Sequence, residues 1–272
     1  MTAHPSPAVL LDLAVATARE AAELIARERD GAGAQVDTKS SPTDVVTAVD
    51  RAAEELITGR LLGARPGDGL LGEEGGERTG GTGVRWVVDP VDGTVNLLYG
   101  LPAFAVSIAA EVEGRVVAGV VHNVLTGEVF TATAGGGAHE SSPVRPDPVR
   151  LTCSGPSSLE QTLVLTGFGY RVEQRRAQGA VVAELLPRVR DIRRHGSSAL
   201  DLCTVAAGRA DAYYELGLKP WDHAAGALVA AEAGAVVTGL PGRAFADPMA
   251  IAVAPSVAGP FVDLVARLHE GR

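Results

Sequence analysis

Asp89 and Asp92 close an apolar run in the segment Trp86-Val87-Val88-Asp89-Pro90-Val91-Asp92-Gly93-Thr94-Val95-Asn96. Two carboxylates with two residues between them, followed at once by a glycine and a threonine, suit one task well. They can hold a hard cation against an anion, while Gly93 lets the backbone approach a ligand closely. The same residues also fit an ordinary turn, because Asp, Pro and Gly are the usual turn formers. Other acidic residues bear on the choice. Glu73-Glu74 follow Leu70-Leu71-Gly72, Asp50 closes Asp44-Val45-Val46-Thr47-Ala48-Val49, Glu215 ends the apolar run 211–214, and Asp222 follows Trp221. Each has a structural explanation by itself: Asp222 is a natural first-turn helix residue, and Glu73-Glu74 would serve as a solvated turn. Recurrence argues against that explanation for all of them. Two carboxylates about 4 Å apart at an effective dielectric of about 20 repel by about 4 kcal/mol, so a converging set needs a cation or a shared proton. With oxygen donors and no His or Cys cluster, the cation is Mg²⁺ sooner than zinc. Of the histidines, only His195 and His223 fall near these motifs, and both read as bystanders.

The elements that must position these groups follow from pattern. Residues 8–27 read as an amphipathic surface helix and 48–62 as a second helix. Strand-like runs at 69–71, 85–88, 103–111, 116–122 and 128–133, split by Gly-rich turns, predict a meandering and largely antiparallel sheet. Past residue 150 short apolar runs at 162–165, 211–214, 235–238 and 250–253 alternate with helical patterns at 173–189, 198–207, 222–233 and 257–269, the texture of an α/β half. The Pro-rich stretch 142–148 is the expected boundary between an N-terminal α+β half (1–148) and a C-terminal α/β half (149–272), the two forming one integrated catalytic unit.

Composition bounds the partners. The chain has 272 residues, 46% of them hydrophobic, with a net charge of −9, which fits one large or two coupled globular domains. No run resembles a membrane span, and no basic stretch precedes the first helix as a signal peptide requires. Cys153 and Cys203 sit in ordinary apolar surroundings, so a reduced, cytoplasmic protein is expected. The acidic balance argues against non-specific nucleic-acid binding. It does not exclude an anionic substrate, because bound cations invert the local field.

These blocks, in this order, resemble the inositol monophosphatase family of Mg²⁺-dependent, lithium-sensitive sugar-phosphate phosphatases, in particular its bacterial SuhB-type branch. The likeness is carried by residues 39–50 (Lys-Ser-Ser-Pro-Thr-Asp-Val-Val-Thr-Ala-Val-Asp), Gly72-Glu73-Glu74, the segment 86–96, Gly167-Phe168-Gly169-Tyr170, residues 193–202, Tyr213-Tyr214-Glu215, Trp221 to Gly226 and Glu232-Ala233-Gly234. It spans nearly the whole chain. The resemblance implies a layered αβαβα sandwich and a homodimer. It implies that Glu73, Asp89 and the Val91 carbonyl hold a first Mg²⁺, that Asp89, Asp92 and Asp222 hold a second, and that a third leans on Glu73 and waters. Thr94 with Asp50 would activate the attacking water, without a phospho-enzyme. Gly93 and Thr94 would offer amides to the phosphate, while Asp92, Asp222, Glu215, Gly196, Ser197 and Ser198 would meet the rest of the substrate. Lys39 falls at the family's mobile-loop lysine. The implied substrate is a small phosphorylated polyol, inositol 1-phosphate first. Histidinol phosphate, fructose 1,6-bisphosphate and 3′-phosphoadenosine 5′-phosphate are alternatives on the same metal core, and RNA polymerase is a non-enzymatic alternative partner. Leu97, His195 and Ala235 depart from the usual family residues, none of them at a metal position.

Overall fold

Ser6 opens the first helix, its side chain accepting from Val9 N ahead of Pro7. The structure is a computed structural model that describes residues 4–29, 36–38 and 45–270. Helix α1 (Pro7–Glu28) buries Leu10, Ala14, Ala18, Ala21 and Ile25, the three-and-four spacing of a single apolar stripe. Strands β1 (Val36–Thr38) and β2 (Val45–Thr47) form a small antiparallel pair. Helix α2 (Ala48–Ala64) starts in a capping box, with Thr47 and Asp50 each satisfying the other's backbone N–H.

An eight-stranded sheet follows, in the order β10-β9-β8-β7-β6-β5-β3-β4. Its strands are β3 (Gly69–Gly72), β4 (Gly76–Arg78), β5 (Val84–Asp92), β6 (Ala105–Val112), β7 (Arg115–Asn123), β8 (Val129–Thr133), β9 (Gly137–Ser142) and β10 (Arg145–Arg150). Only the β3–β5 pair is parallel. Alternation along the strands sorts the two faces. Trp86, Val88, Val106, Ile108 and Val120 pack with α1 and α2, whereas Val87, Ala105, Ala109, Val121 and Phe130 pack with the two helices α5 (Ser198–Ala206) and α6 (Pro220–Glu232), which follow the short helix α3 (Thr94–Tyr99) and helix α4 (Val172–Leu185) in the chain.

The second sheet has the order β12-β11-β13-β15-β14, from β11 (Leu163–Thr166), β12 (Asp191–Arg193), β13 (Ala212–Leu216), β14 (Val236–Thr238) and β15 (Met249–Val253). One face, with Leu165, Tyr213 and Ala252, rests on Leu202, Val205 and Ala230 of α5 and α6. The other, with Val164, Tyr214 and Ile251, is covered by α4 and by helix α7 (Ala258–His269). The five layers are therefore α1/α2, sheet, α5/α6, sheet and α4/α7, the expected αβαβα sandwich. At the stretch expected to bound the two halves, Arg145–Arg150 forms the edge strand β10, exposed along its length and paired with β9. An edge strand has one unpaired side and so tolerates Pro146 and Pro148. Among the described residues no helix is long and apolar enough to cross a membrane.

Candidate active site

Strand β5 brings the first carboxylates to the end of the large sheet. Residues three apart on a regular strand face opposite sides, yet Asp89 and Asp92 line the same cleft. The register against β6 breaks between them, Asp89 pairing with Ser107 and Asp92 with Ala105, and such an irregularity re-aims side chains at a strand end. Gly93 then turns the chain at φ +100°, and a Cβ there would lie 2.7 Å from the Ala103 carbonyl. No other residue would enter α3 at this point.

Each acid is oriented by neutral donors. The Asp92 Oδ2 accepts from Ser197 Oγ at 2.5 Å and from Ala199 N at 2.7 Å, so the opening turn of α5 grips a residue of the first sheet. Asp89 Oδ1 accepts from Val91 N at 3.0 Å, and Glu73 shares a side-chain hydrogen bond with Asp89. Asp222, in the first turn of α6, accepts from Lys219 N at 2.6 Å. Glu215 accepts from the Tyr213 hydroxyl at 2.8 Å. On the α2 side, Thr94 Oγ1 donates to Asp50 Oδ1 at 2.8 Å, with the Val91 carbonyl a longer alternative at 3.1 Å. Asp50 is itself fixed by Thr47 N at 3.0 Å and the Thr47 hydroxyl.

Burial without a counter-ion dominates the electrostatics. Asp89 is held well above the usual carboxylate range by burial, then by Glu73, Asp92 and Asp222 nearby. Asp222 is raised strongly for the same first reason. Burial pushes Asp92 up to about 7 against the pull of Ser197 and Ala199, and pushes Glu215 up to about 7 against its Tyr213 bond. Among the described residues no salt bridge reaches Asp89, Asp92 or Asp222, and no three His, Cys, Asp or Glu side chains stand in a ready metal-ligating cluster. The donor set is oxygen throughout, and its surplus negative charge is what a hard divalent cation relieves.

The cleft, about 540 Å³, gathers Glu73, Asp89, Val91, Asp92, Gly93, Thr94, Gly196, Ser198, Glu215 and Asp222, with Asp50 just behind Thr94 and Ser197 behind Asp92. Lys39 lies outside the described residues. His223 packs on Phe245 with its ring centroid 5.1 Å away, and burial lowers its pKa to about 4. His195 is more than a bystander, as its Nδ1 bonds the buried Asp201 at 2.8 Å and its carbonyl accepts from Asn96 at 2.8 Å. Sequence reasoning missed Asp201 and also Glu54, which sits one helical turn beyond Asp50. It missed Arg194 as well, which lines the cleft.

The inositol monophosphatase family pattern matches residues 6–268. The chain belongs to the inositol monophosphatase family. Curated relatives include an inositol-1-monophosphatase SuhB of Mycobacterium tuberculosis, 49% identical over 90% of this chain and 86% of that one. Another is a protein named Nus factor SuhB in Escherichia coli, 40% identical over 88% and 86%. The solved structure of Mycobacterium tuberculosis SuhB superposes with a TM-score of 0.83 at 42% identity, covering 97% of this chain and 98% of that one. Family membership supports a phosphatase of a metal-dependent family.

Proposed function

We propose that the protein is a cytoplasmic, Mg²⁺-dependent phosphomonoesterase that hydrolyses inositol 1-phosphate to inositol and phosphate by direct attack of water. The observation that carries this reading is the Thr94 hydroxyl donating to Asp50 at 2.8 Å beside the cleft carboxylates. A hydroxyl that donates to a carboxylate keeps its lone pairs for a proton from a neighbouring water. Asp50 then takes up the positive charge that develops, a base relay of the kind worth about 10²–10⁴ in rate. Glu73, Asp89, Asp92, Asp222 and the Val91 carbonyl are the residues that would hold two or three Mg²⁺. When bound, the ions neutralise the phosphate, acidify water and stabilise the departing alkoxide. Gly93 and Thr94 present backbone amides to the phosphate from the start of α3. Glu215, with Gly196, Ser197 and Ser198 opposite, accepts hydroxyl protons from the polyol. Ser197 and Ser198 hydrogen-bond to Asp92, one of the residues that would hold metal, so this reading uses water and not a serine as the nucleophile.

The halves 1–148 and 149–272 act on this reading as one unit, because Asp92 of the first is held by residues 197–199 of the second. Exposed Tyr99 and Leu101, 78% and 50% accessible at the end of α3, are apolar surface that a second copy would cover. The deciding experiment is phosphate release from inositol 1-phosphate, histidinol phosphate, fructose 1,6-bisphosphate and 3′-phosphoadenosine 5′-phosphate, with and without Mg²⁺. Fastest release from inositol 1-phosphate, abolished by EDTA, is expected. Equal release without divalent cation would overturn the metal reading. The Nus factor name of the Escherichia coli relative favours one further reading, contact with RNA polymerase, which a binding assay against the purified polymerase tests directly.

A further inference from the structure

Glu54 is a buried carboxylate, 5% exposed, that the chemistry above does not use. It lies on α2 four residues after Asp50, and that spacing puts the two side chains on one helix face. Its Oε2 accepts from Glu74 N at 2.8 Å and its Oε1 from Gly75 N at 2.5 Å. Both donors belong to the turn between β3 and β4 that carries Glu73. The N–H of Glu74 lies in the peptide plane that joins it to Glu73, so this bond fixes ψ of Glu73 and with it the direction in which its side chain leaves the backbone. The turn is shaped to admit the carboxylate. A Cβ at Gly72 would lie 2.5 Å from Glu54 Oε1, and one at Gly75 2.6 Å from the same atom.

From this geometry we infer that Glu54 is a positioning residue that aims Glu73 at Asp89 and so pre-forms the cation site. The inference rests on the metal reading of the cleft. One helix then sets both ends of the site: Asp50 orients Thr94, and Glu54, one turn later, orients Glu73. Partners one step removed from a metal commonly set its affinity by about 10–100-fold when lost, and a carboxylate is suited to this one because it offers two acceptors to two N–H groups. Glutamine offers one oxygen and turns an NH₂ towards the other donor.

The test is Mg²⁺ titration calorimetry on the EDTA-stripped full-length protein, compared across wild type, Glu54→Gln and Gly75→Ala. The second variant keeps the charge of Glu54 but displaces its carboxylate, and it separates geometry from the simple loss of a negative charge near the cation. Both variants are expected to bind Mg²⁺ about tenfold more weakly. Their phosphatase activity at saturating Mg²⁺ should stay within about twofold of wild type, while the Mg²⁺ concentration for half activation rises by the same tenfold. Wild-type affinity in Gly75→Ala, or a loss of turnover at saturating Mg²⁺ with affinity unchanged, would overturn the proposal alone. Should Glu54→Gln fail to fold, the Gly75→Ala result decides. A wild type that binds no Mg²⁺ at all overturns the metal reading and this proposal together, and so is told apart from the other outcomes.

Discussion

Asp68 and Asp92 are both buried carboxylates of the N-terminal half, at 1% and 9% exposure, and they are treated in opposite ways. Asp68 is neutralised from within. The Arg65 guanidinium meets it at 2.5 Å and 3.1 Å, Thr82 Oγ1 donates at 2.6 Å and Trp86 Nε1 at 3.1 Å. Among the described residues Asp92 receives neutral donors and faces other carboxylates. A buried charge paired at hand belongs to the fold. Among the described residues Asp92 has no cationic partner and several acids near it, the arrangement that the proposed cation would relieve.

The largest expected effect tests that division at its sharper end. Asp92→Asn should reduce Mg²⁺-dependent phosphate release by roughly 10³-fold, the scale on which electrostatic groups at a reacting phosphate act. The metal-free protein should melt no lower than wild type, because a burdensome charge has been removed. A variant that retains near-wild-type turnover would end the comparison. Next comes Thr94→Val, which keeps the shape and removes the hydroxyl. We expect kcat to fall by about 10² with Mg²⁺ affinity unchanged, read from activity and calorimetry on the same preparation. Asp68→Asn is the converse experiment. It should cost roughly 2–3 kcal/mol in chemical denaturation, below the full value for a buried pair because Arg65 is part-exposed, and it should leave turnover alone.

These contrasts show which parts of the molecule were legible in its sequence. Strands that end in carboxylates and the Gly93 turn are local, so residue type and spacing singled out Asp50, Glu73, Asp89, Asp92, Glu215 and Asp222 as candidates, while their separate roles came only from the family resemblance. The five-layer sandwich was expected from resemblance, while alternation within each half fitted it. What stayed hidden depends on partners distant in the chain. Glu54 looks like any solvated acid on a helix until the turn at 73–75 closes on it, although its spacing from Asp50 was a usable signal. Asp201 looks like a polar residue in an apolar helix until His195 reaches it. The edge strand β10 was obscured because its two prolines read as a boundary between halves, whereas an edge strand, paired on one side, tolerates them.

The pH dependence of the metal-free protein follows from the raised groups. Asp92 and Glu215 carry folded-state pKa values of about 7, above their unfolded values near 4. A raised acid contributes stability that is complete below its unfolded pKa and lost as pH rises through the folded one. Thermal midpoints in EDTA should therefore fall between about pH 4 and 7, and Mg²⁺ should restore them most at the upper end of that window. A midpoint that rises steadily across it in EDTA would mean that the cleft charges are already compensated within the protein.

Asp201 stands between the two extremes, and it gives the smallest and most discriminating prediction. It is 1% exposed, like Asp68, but its partner is the titratable His195. Burial raises Asp201, with His195 and Arg194 opposing, while the Asp201 hydrogen bond raises His195 above 6.5 against partial burial. The His195 contribution is thus fully present below about pH 6.5 and is lost as pH climbs through the raised value. With the imidazole side chain 40% exposed, solvent screening keeps the pair to under about 1 kcal/mol. His195→Asn should accordingly destabilise the protein by that small amount at pH 6 and by progressively less towards pH 9, measured by denaturant titration at each pH. A penalty that stays constant with pH would make His195 a packing group and hydrogen-bond donor only. A penalty that fades would make its charge a conditional counter-ion, placing Asp201 between a carboxylate paired for good at Asp68 and one at Asp92 that no cation among the described residues meets.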